Sequence, residues 1–290
     1  MEVLFAYCEE VESTVPARER TVEDVCGGHE RGVLNPRDRR HVMAQLSAEG
    51  HKRVESFLFE QVFLQKATAA LGEEHVSVGW SFVYGSEQED VPQYWFKLND
   101  PTKGWNEVDD LVADLLSNSG CDVTSVAYYP EDGLFQAQRY DDGRWLERRA
   151  LREALREITG SASPRTRVRN YSYINRDAQS IAINAIDSIF SDEELYLLSL
   201  SRTLTNCYVY PWFAKQPMDL DLCYVVGDHL RFVEFKRKYP AKSGEFGIDE
   251  HPHGVLSDWL EDAGTALLHV VLCDPMWDKS VSPTHMLAAG

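Results

Sequence analysis

The sequence holds no uninterrupted apolar run of about 18 residues, the length a membrane-spanning helix needs, so no transmembrane segment is expected. It does not open as a secretory leader opens. Met1-Glu2-Val3-Leu4-Phe5-Ala6-Tyr7-Cys8-Glu9-Glu10 has no basic residue ahead of its short apolar stretch and turns acidic at once. A cytoplasmic protein is the expectation. There is no Cys-x-x-Cys pair, no internal repeat and no low-complexity tract. Positive charge is scarce: 29 Lys and Arg stand against 47 Asp and Glu, a net charge of -18. This excludes a generally basic, histone-like binder of nucleic acid and disfavours loose nucleic-acid binding. It leaves room for a local basic groove, because screening at physiological salt confines charge effects to roughly 8 Å.

What is present supports a folded core. The chain has 290 residues, 43% hydrophobic and 11% aromatic, enough for one large domain or two ordinary ones. Whole-chain disorder is excluded. Of the six cysteines (Cys8, Cys26, Cys121, Cys207, Cys223 and Cys273), the last three sit in apolar, strand-like runs and read as small buried hydrophobes in a reducing compartment. Cys26-Gly-Gly-His29, with Cys8 and His41, lacks the tight paired spacing of a structural zinc site.

The first 35 or so residues are acidic and irregular, ending at Asn35-Pro36. Apolar spacing predicts a helix from Asp38 to Leu71 with Gly72 as its stop. Strands are expected over His75–Tyr84 and Tyr94–Leu98, a helix over Trp105–Leu116, and two strands, Asp122–Tyr129 and Leu134–Tyr140, joined at Pro130-Glu131-Asp132-Gly133. Arg144–Ile158 reads as a helix, followed by a linker at Gly160-Ser161-Ala162-Ser163-Pro164. Beyond it come a helix over Asn175–Phe190, a second N-capped by Ser191, and strands at Cys207–Phe213, Leu220–Val226 and Leu230–Lys236. A helix at Leu256–Ala263 and a strand at Leu267–Cys273 close the order. The expected fold class is α/β (α+β), with an N-terminal α+β domain over 1–160 and a second domain over 166–290.

The chemistry concentrates between Pro217 and Lys238. Two strands flank Gly227-Asp228, and Gly at the first of two loop positions suits a type II′ hairpin turn. Val226 then faces His229. Counting back along the strands places Asp221 opposite Glu234 and Asp219 opposite Lys236. Alternation puts these four polar residues on one face, which is otherwise apolar through Cys223, Val225, Leu230 and Phe232. The other face, Leu220, Leu222, Tyr224, Val226, Val233 and Phe235, is apolar too, so these are central strands covered on both sides. Like charges directly across a strand pair are destabilising, and more so when desolvated. A divalent cation relieves the repulsion: carboxylates are hard ligands suited to Mg²⁺. Lys236 then orients or deprotonates a water, or stabilises developing charge.

Asp221 with Glu234-Phe235-Lys236 resembles the PD-(D/E)xK nuclease superfamily, and residues 166–290 resemble its core order of helix, three-stranded meander, helix, strand. The resemblance does not extend to residues 1–160, whose expected role is recognition or partner binding. It implies a restriction-endonuclease-like core, a mixed sheet flanked by helices. It also implies a Mg²⁺-dependent endonuclease, with Mn²⁺ as a substitute metal. Asp221, Glu234 and the backbone carbonyl of Phe235 would be metal ligands and Lys236 the catalytic lysine. The leading acid of the motif stands within Pro217-Met218-Asp219-Leu220-Asp221, so either aspartate matches. The opposite-pair geometry favours Asp221 and leaves Asp219 to support Lys236. The family often adds an acid from the preceding helix, for which Glu193, on the stripe of Leu197, Leu200 and Leu204, or Glu194 beside it are the candidates.

Arg165, Arg167, Arg169, Arg237 and Lys238 are the candidate nucleic-acid contacts, with Arg176 and Lys242 near them. Arg144, Arg148, Arg152 and Arg156, spaced by four, read as a solvated helix face paired with Glu147, Glu153 and Glu157. His251-Pro252-His253 reads as loop, with contact to substrate or metal as the lesser reading, and Tyr94, Trp95, Phe96 and Trp105 as core rather than base-stacking groups. The expected function is nucleic-acid phosphodiester hydrolysis, DNA favoured over RNA, in defence against foreign DNA or in mobile-element processing. The acidic balance points to a protein partner or self-association. The rival expectation is a non-catalytic interaction subunit on a nuclease-like scaffold.

Overall fold

The computed structural model describes residues 20–21, 35–47, 49–85, 91–165, 168–169, 175–238, 250–273 and 284. The chain is a mixed α+β protein and divides into two units, one of 1–55, 166–207 and 281–290, the other of 56–165 and 208–280. This differs from consecutive halves meeting near residue 160. The larger unit takes strands from both sides of that point, because Met218–Leu220 pairs with Trp80–Tyr84 and Leu222–Val226 pairs with Val76–Ser77.

The smaller unit is helical. The helix expected over 38–71 is two: Arg39–Ser47 lies in this unit, and His51–Leu71 begins in it but belongs from Ser56 onward to the larger one. Helices Arg176–Ile189 and Asp192–Thr203 complete the smaller unit, with a two-stranded ribbon of Arg20–Thr21 and Val168–Arg169. Ser191 caps as expected, in a reciprocal capping box with Glu194. Arg39 donates to Asp187 and Asp192, each at 2.7 Å, and Gln45 bridges Ser199 and Thr203. The run Cys207–Phe213 is not a strand. The chain leaves helix Asp192–Thr203 through a π-helical turn, Leu204–Val209, and a 3-10 turn, Tyr210–Trp212. Val209, Trp212 and Phe213 are all buried, a clustering a two-residue alternation cannot satisfy. Cys207 is buried and disulfide-bonded rather than a free thiol. Cys121 and Cys223 are buried free thiols, and burial pushes that of Cys121 up to about 12.

The larger unit holds two sheets. In the seven-stranded sheet the order is Met218–Leu220, Trp80–Tyr84, Pro92–Asn99, Asp122–Tyr129, Leu134–Asp141, Arg144–Trp145, with Arg149–Ala150 also on Leu134–Asp141. Pro92–Asn99 and Asp122–Tyr129 are parallel, joined through helix Glu107–Asn118, whose Asn106 and Asp109 form a capping box. Asp109 also takes buried Lys97 at 2.9 Å, tying that helix to the sheet. The expected Arg144–Ile158 helix starts late, at Leu151–Thr159. Asp142 and Gly143, both at positive φ (48 and 74), turn the chain into a hairpin that pairs Asp141 with Arg144. The arginine ridge is broken as a result, and only Arg152 and Arg156 share the helix.

The four-stranded sheet runs Leu267–Cys273, His229–Lys238, Leu222–Val226, Val76–Ser77, the first pair parallel and the others antiparallel. Its faces alternate as expected over 222–225 and 230–235, but Val226 at the hairpin end is exposed rather than covered, and Leu220, beyond the bend, joins the core of Cys223 instead of the face of Leu222. Cys223 and Phe232 enter the main core with Leu256 and Leu260 of helix Val255–Asp262. Leu222, Val233 and Phe235 pack against Phe63, Leu64, Ala67 and Leu71 of helix His51–Leu71. Each large apolar side chain so buried contributes roughly 1.5–3 kcal/mol. Two neighbouring strands pass from one sheet to the other side by side. One bends at Val78-Gly79, the other at Asp221. Continuing the register from Ser77–Cys223 to Trp80–Leu220 sets Gly79 opposite Asp221. Gly79 has φ 79, and a Cβ there would stand 3.0 Å from the Leu98 carbonyl oxygen.

Candidate functional site

The hairpin forms in the expected register, Val226 against His229 through Leu222 against Val233, with Gly227 at φ 60. The ladder stops there, and this corrects the pairing expected beyond it. Asp221 lies between strands, and the backbone of Asp219 pairs with Ser81 in the other sheet rather than with Lys236. The cause is the bend: a strand that serves two sheets cannot keep both neighbours through the crossing. The Asp221 side chain fills the break, its Oδ2 accepting from the Phe235 N–H at 2.6 Å.

Glu234 is 5% exposed, and its Oε1 accepts from Lys236 Nζ in a close ion pair. Burial pushes the Asp221 carboxyl well above the usual carboxylate range, and the charges of Glu234 and Glu60 push it further, against the Phe235 hydrogen bond and Lys236. Burial raises Glu234 as well; Lys236 opposes the shift and Asp219 adds to it. Burial alone would lower Lys236, but Glu234, Asp221 and Glu60 outweigh it and hold the ammonium protonated above its usual range. Acids therefore crowd one end of the hairpin around a single lysine.

Glu60 went unread in the sequence. It continues the stripe of Phe63, Leu64, Ala67 and Leu71 one turn toward the helix N-terminus, so the helix that buries this stripe on the sheet carries Glu60 to the hairpin's polar end. That stripe was the available signal. The acids expected in its place, Glu193 and Glu194, belong to the smaller unit, where Glu193 meets Arg37 at 3.8 Å and Glu194 closes the cap on Ser191.

His253 is 7% exposed, not an open loop residue, and its Nε2 lies 4.0 Å from Glu234 Oε1. Of the expected nucleic-acid contacts, Arg165 is exposed with its N–H on the Pro211 carbonyl at 2.7 Å. Arg169 lies in the two-stranded ribbon opposite Arg20, and Arg237 and Lys238 end the strand His229–Lys238 beside Leu272 and Cys273. Arg167 and Lys242, like Cys8, Cys26 and His29, lie outside the described residues. Arg176 donates to Gln179 at 3.1 Å. Arg139 and Arg149 both reach Glu157. Trp95 and Phe96 are fully buried, Tyr94 packs on Phe213, and Trp105 stacks on Trp145 with ring centroids 4.1 Å apart.

The donor set would suit a hard divalent cation: oxygen ligands of like charge, Glu234 buried and Asp221 half-buried. Among the described residues no three His, Cys, Asp or Glu side chains are gathered as a ready metal cage. No helix among the described residues is long and apolar enough to cross a membrane. Set beside known proteins, the chain matches no family model, no curated protein and no solved structure.

Proposed function

We propose that the chain is a metal-dependent nuclease that hydrolyses nucleic-acid phosphodiester bonds, DNA favoured, from the polar end of this hairpin. The observation that carries the reading is the crowding of half-buried Asp221 and buried Glu234 beside Lys236, an arrangement of acids that a bound cation would relieve. The four-stranded sheet supports it. Helix His51–Leu71, three antiparallel strands, helix Val255–Asp262 and a final parallel strand follow the order of a restriction-endonuclease-like core, with residues 78–221 intervening between its first and second strands.

Asp221, Glu234 and the Phe235 carbonyl would hold the metal, with Glu60 adding charge beside them. When bound, Mg²⁺ supplies charge neutralisation at the phosphate and a water that ionises readily. Lys236, held protonated by the surrounding acids, acts as a cation rather than a base and sets positive charge against the phosphate oxygens. Arg165, with Arg237 and Lys238 at the end of strand His229–Lys238, would be among the basic groups that meet a polyanion.

The test is incubation with duplex and single-stranded DNA and RNA, with and without Mg²⁺ or Mn²⁺. Asp221→Asn, Glu234→Gln and Lys236→Met should each lower metal-dependent cleavage by about 100-fold or more, the scale for losing a group that stabilises developing charge. Cleavage by all three at the parent rate would place the activity elsewhere. No cleavage by the parent under any condition would leave the hairpin as part of a non-catalytic interaction subunit.

A further inference from the structure

We infer that His253 is a positioning residue of the same site, packing with Lys236 at one oxygen of the Glu234 carboxylate so that the other is left for the metal. The inference rests on the metal-site reading above. Lys236 Nζ and His253 Nε2 both approach Glu234 at Oε1, the first in a close ion pair and the second at 4.0 Å. Among the described residues Oε2 has no such partner.

The placement of His253 is built. It sits in the π-helical turn Glu250–Gly254, a geometry frequent at functional sites, ahead of helix Val255–Asp262. The buried Tyr84 hydroxyl donates to the carbonyl of the preceding residue, Pro252, at 2.7 Å and pins the turn to the other sheet of the same unit. The His253 ring also meets His269 edge-on, centroids 5.8 Å apart. His269 is the parallel-strand partner of Glu234, so strand register itself sets it at that level. A bulky polar side chain is thus buried at a defined distance from a buried carboxylate and braced by groups from two other strands. Partners of this kind, hydrogen-bonded or packed behind a ligating carboxylate, fix its orientation, and their loss typically weakens metal affinity about 10–100-fold.

The experiment is titration of the full-length protein with Mn²⁺, following the free-ion electron paramagnetic resonance signal, with no substrate present. His253→Ala should raise the Mn²⁺ Kd about 10–100-fold. His253→Gln, which keeps an N–H donor of similar reach, should stay within a few-fold of the parent. Tyr84→Phe leaves His253 in place but frees the turn, and should weaken Mn²⁺ in the same direction by less; it keeps the inference testable if His253→Ala does not fold. Thermal melts run alongside separate a packing role, which lowers Tm and leaves Kd unchanged. A folded His253→Ala protein with the parent Kd overturns the inference while leaving the metal site standing. A parent that binds no Mn²⁺ overturns the metal-site reading and this inference with it.

Discussion

At Asp221 the backbone and the side chain exchange tasks. The strand gives up its ladder partner to change sheets, and the carboxylate takes the Phe235 N–H instead. The charge is then costly, because burial and two neighbouring acids oppose it. An acid whose folded pKa stands above its unfolded value holds its proton longer in the native state. Between the two values stability falls as pH rises, and above the folded value the penalty is complete. Asp221→Asn keeps an acceptor for Phe235 and removes the charge. Without metal it should melt a few °C above the parent at pH 7, what about 1 kcal/mol is worth in a domain of this size. The gap should close as pH falls toward the ordinary aspartate range near 4. Calorimetry across pH checks this; a variant that melts below the parent at neutral pH would show that the carboxylate is stabilising where it stands.

Elements built from local signals were legible, and those decided by distant partners were not. The Gly227-Asp228 hairpin follows from a two-residue loop between alternating apolar runs, and its register came out as the sequence implied. The bend at Asp221 did not, because its cause is Trp80, far away in the chain, pairing with Leu220. The arginines spaced by four suggested a helix where Asp142-Gly143 makes a hairpin. Charge spacing says little about which face is buried, whereas turn chemistry is local and stronger. Glu60 was hidden differently: its stripe was visible, but nothing local says which sheet a helix will cover. The bend has its own dependence on Gly79, where φ is 79 and the Leu98 carbonyl would crowd a Cβ. Gly79→Ala should cost about 1–2 kcal/mol from the left-handed backbone alone, and more from the contact. Because Gly79 lies opposite Asp221, the same variant should weaken Mn²⁺ binding. Chemical denaturation and the metal titration read the two effects separately, and a Gly79→Ala protein as stable as the parent would remove the bend from the account of the site.

The whole molecule is assembled from interleaved segments. The resemblance carried by Asp221 and Glu234-Phe235-Lys236 suggested that residues 166–290 form a domain by themselves, and the strand pairing argues otherwise. Inside the larger unit, Met218–Leu220 needs Trp80–Tyr84, and Leu222–Val226 needs Val76–Ser77. The apolar face of Leu222, Val233 and Phe235 is covered by Phe63, Leu64, Ala67 and Leu71. A fragment of 166–290 would expose that face and leave a row of unpaired strand groups, the usual route to edge-to-edge aggregation. Such non-local pairing also has to be reached against loop-closure entropy, so the fragment keeps the local Gly227-Asp228 hairpin but loses the strands and helix that cover it. Expressed alone, 166–290 should therefore aggregate or unfold without a cooperative transition, whereas co-expression with 1–165 should return a soluble complex with one sharp melt for the larger unit. Circular dichroism melts and the dispersion of amide proton shifts decide the matter. A soluble 166–290 fragment with a cooperative melt and dispersed shifts would mean that the hairpin and its flanking helix are self-sufficient, and that the first half of the chain is an attachment rather than part of the sheet that carries the site.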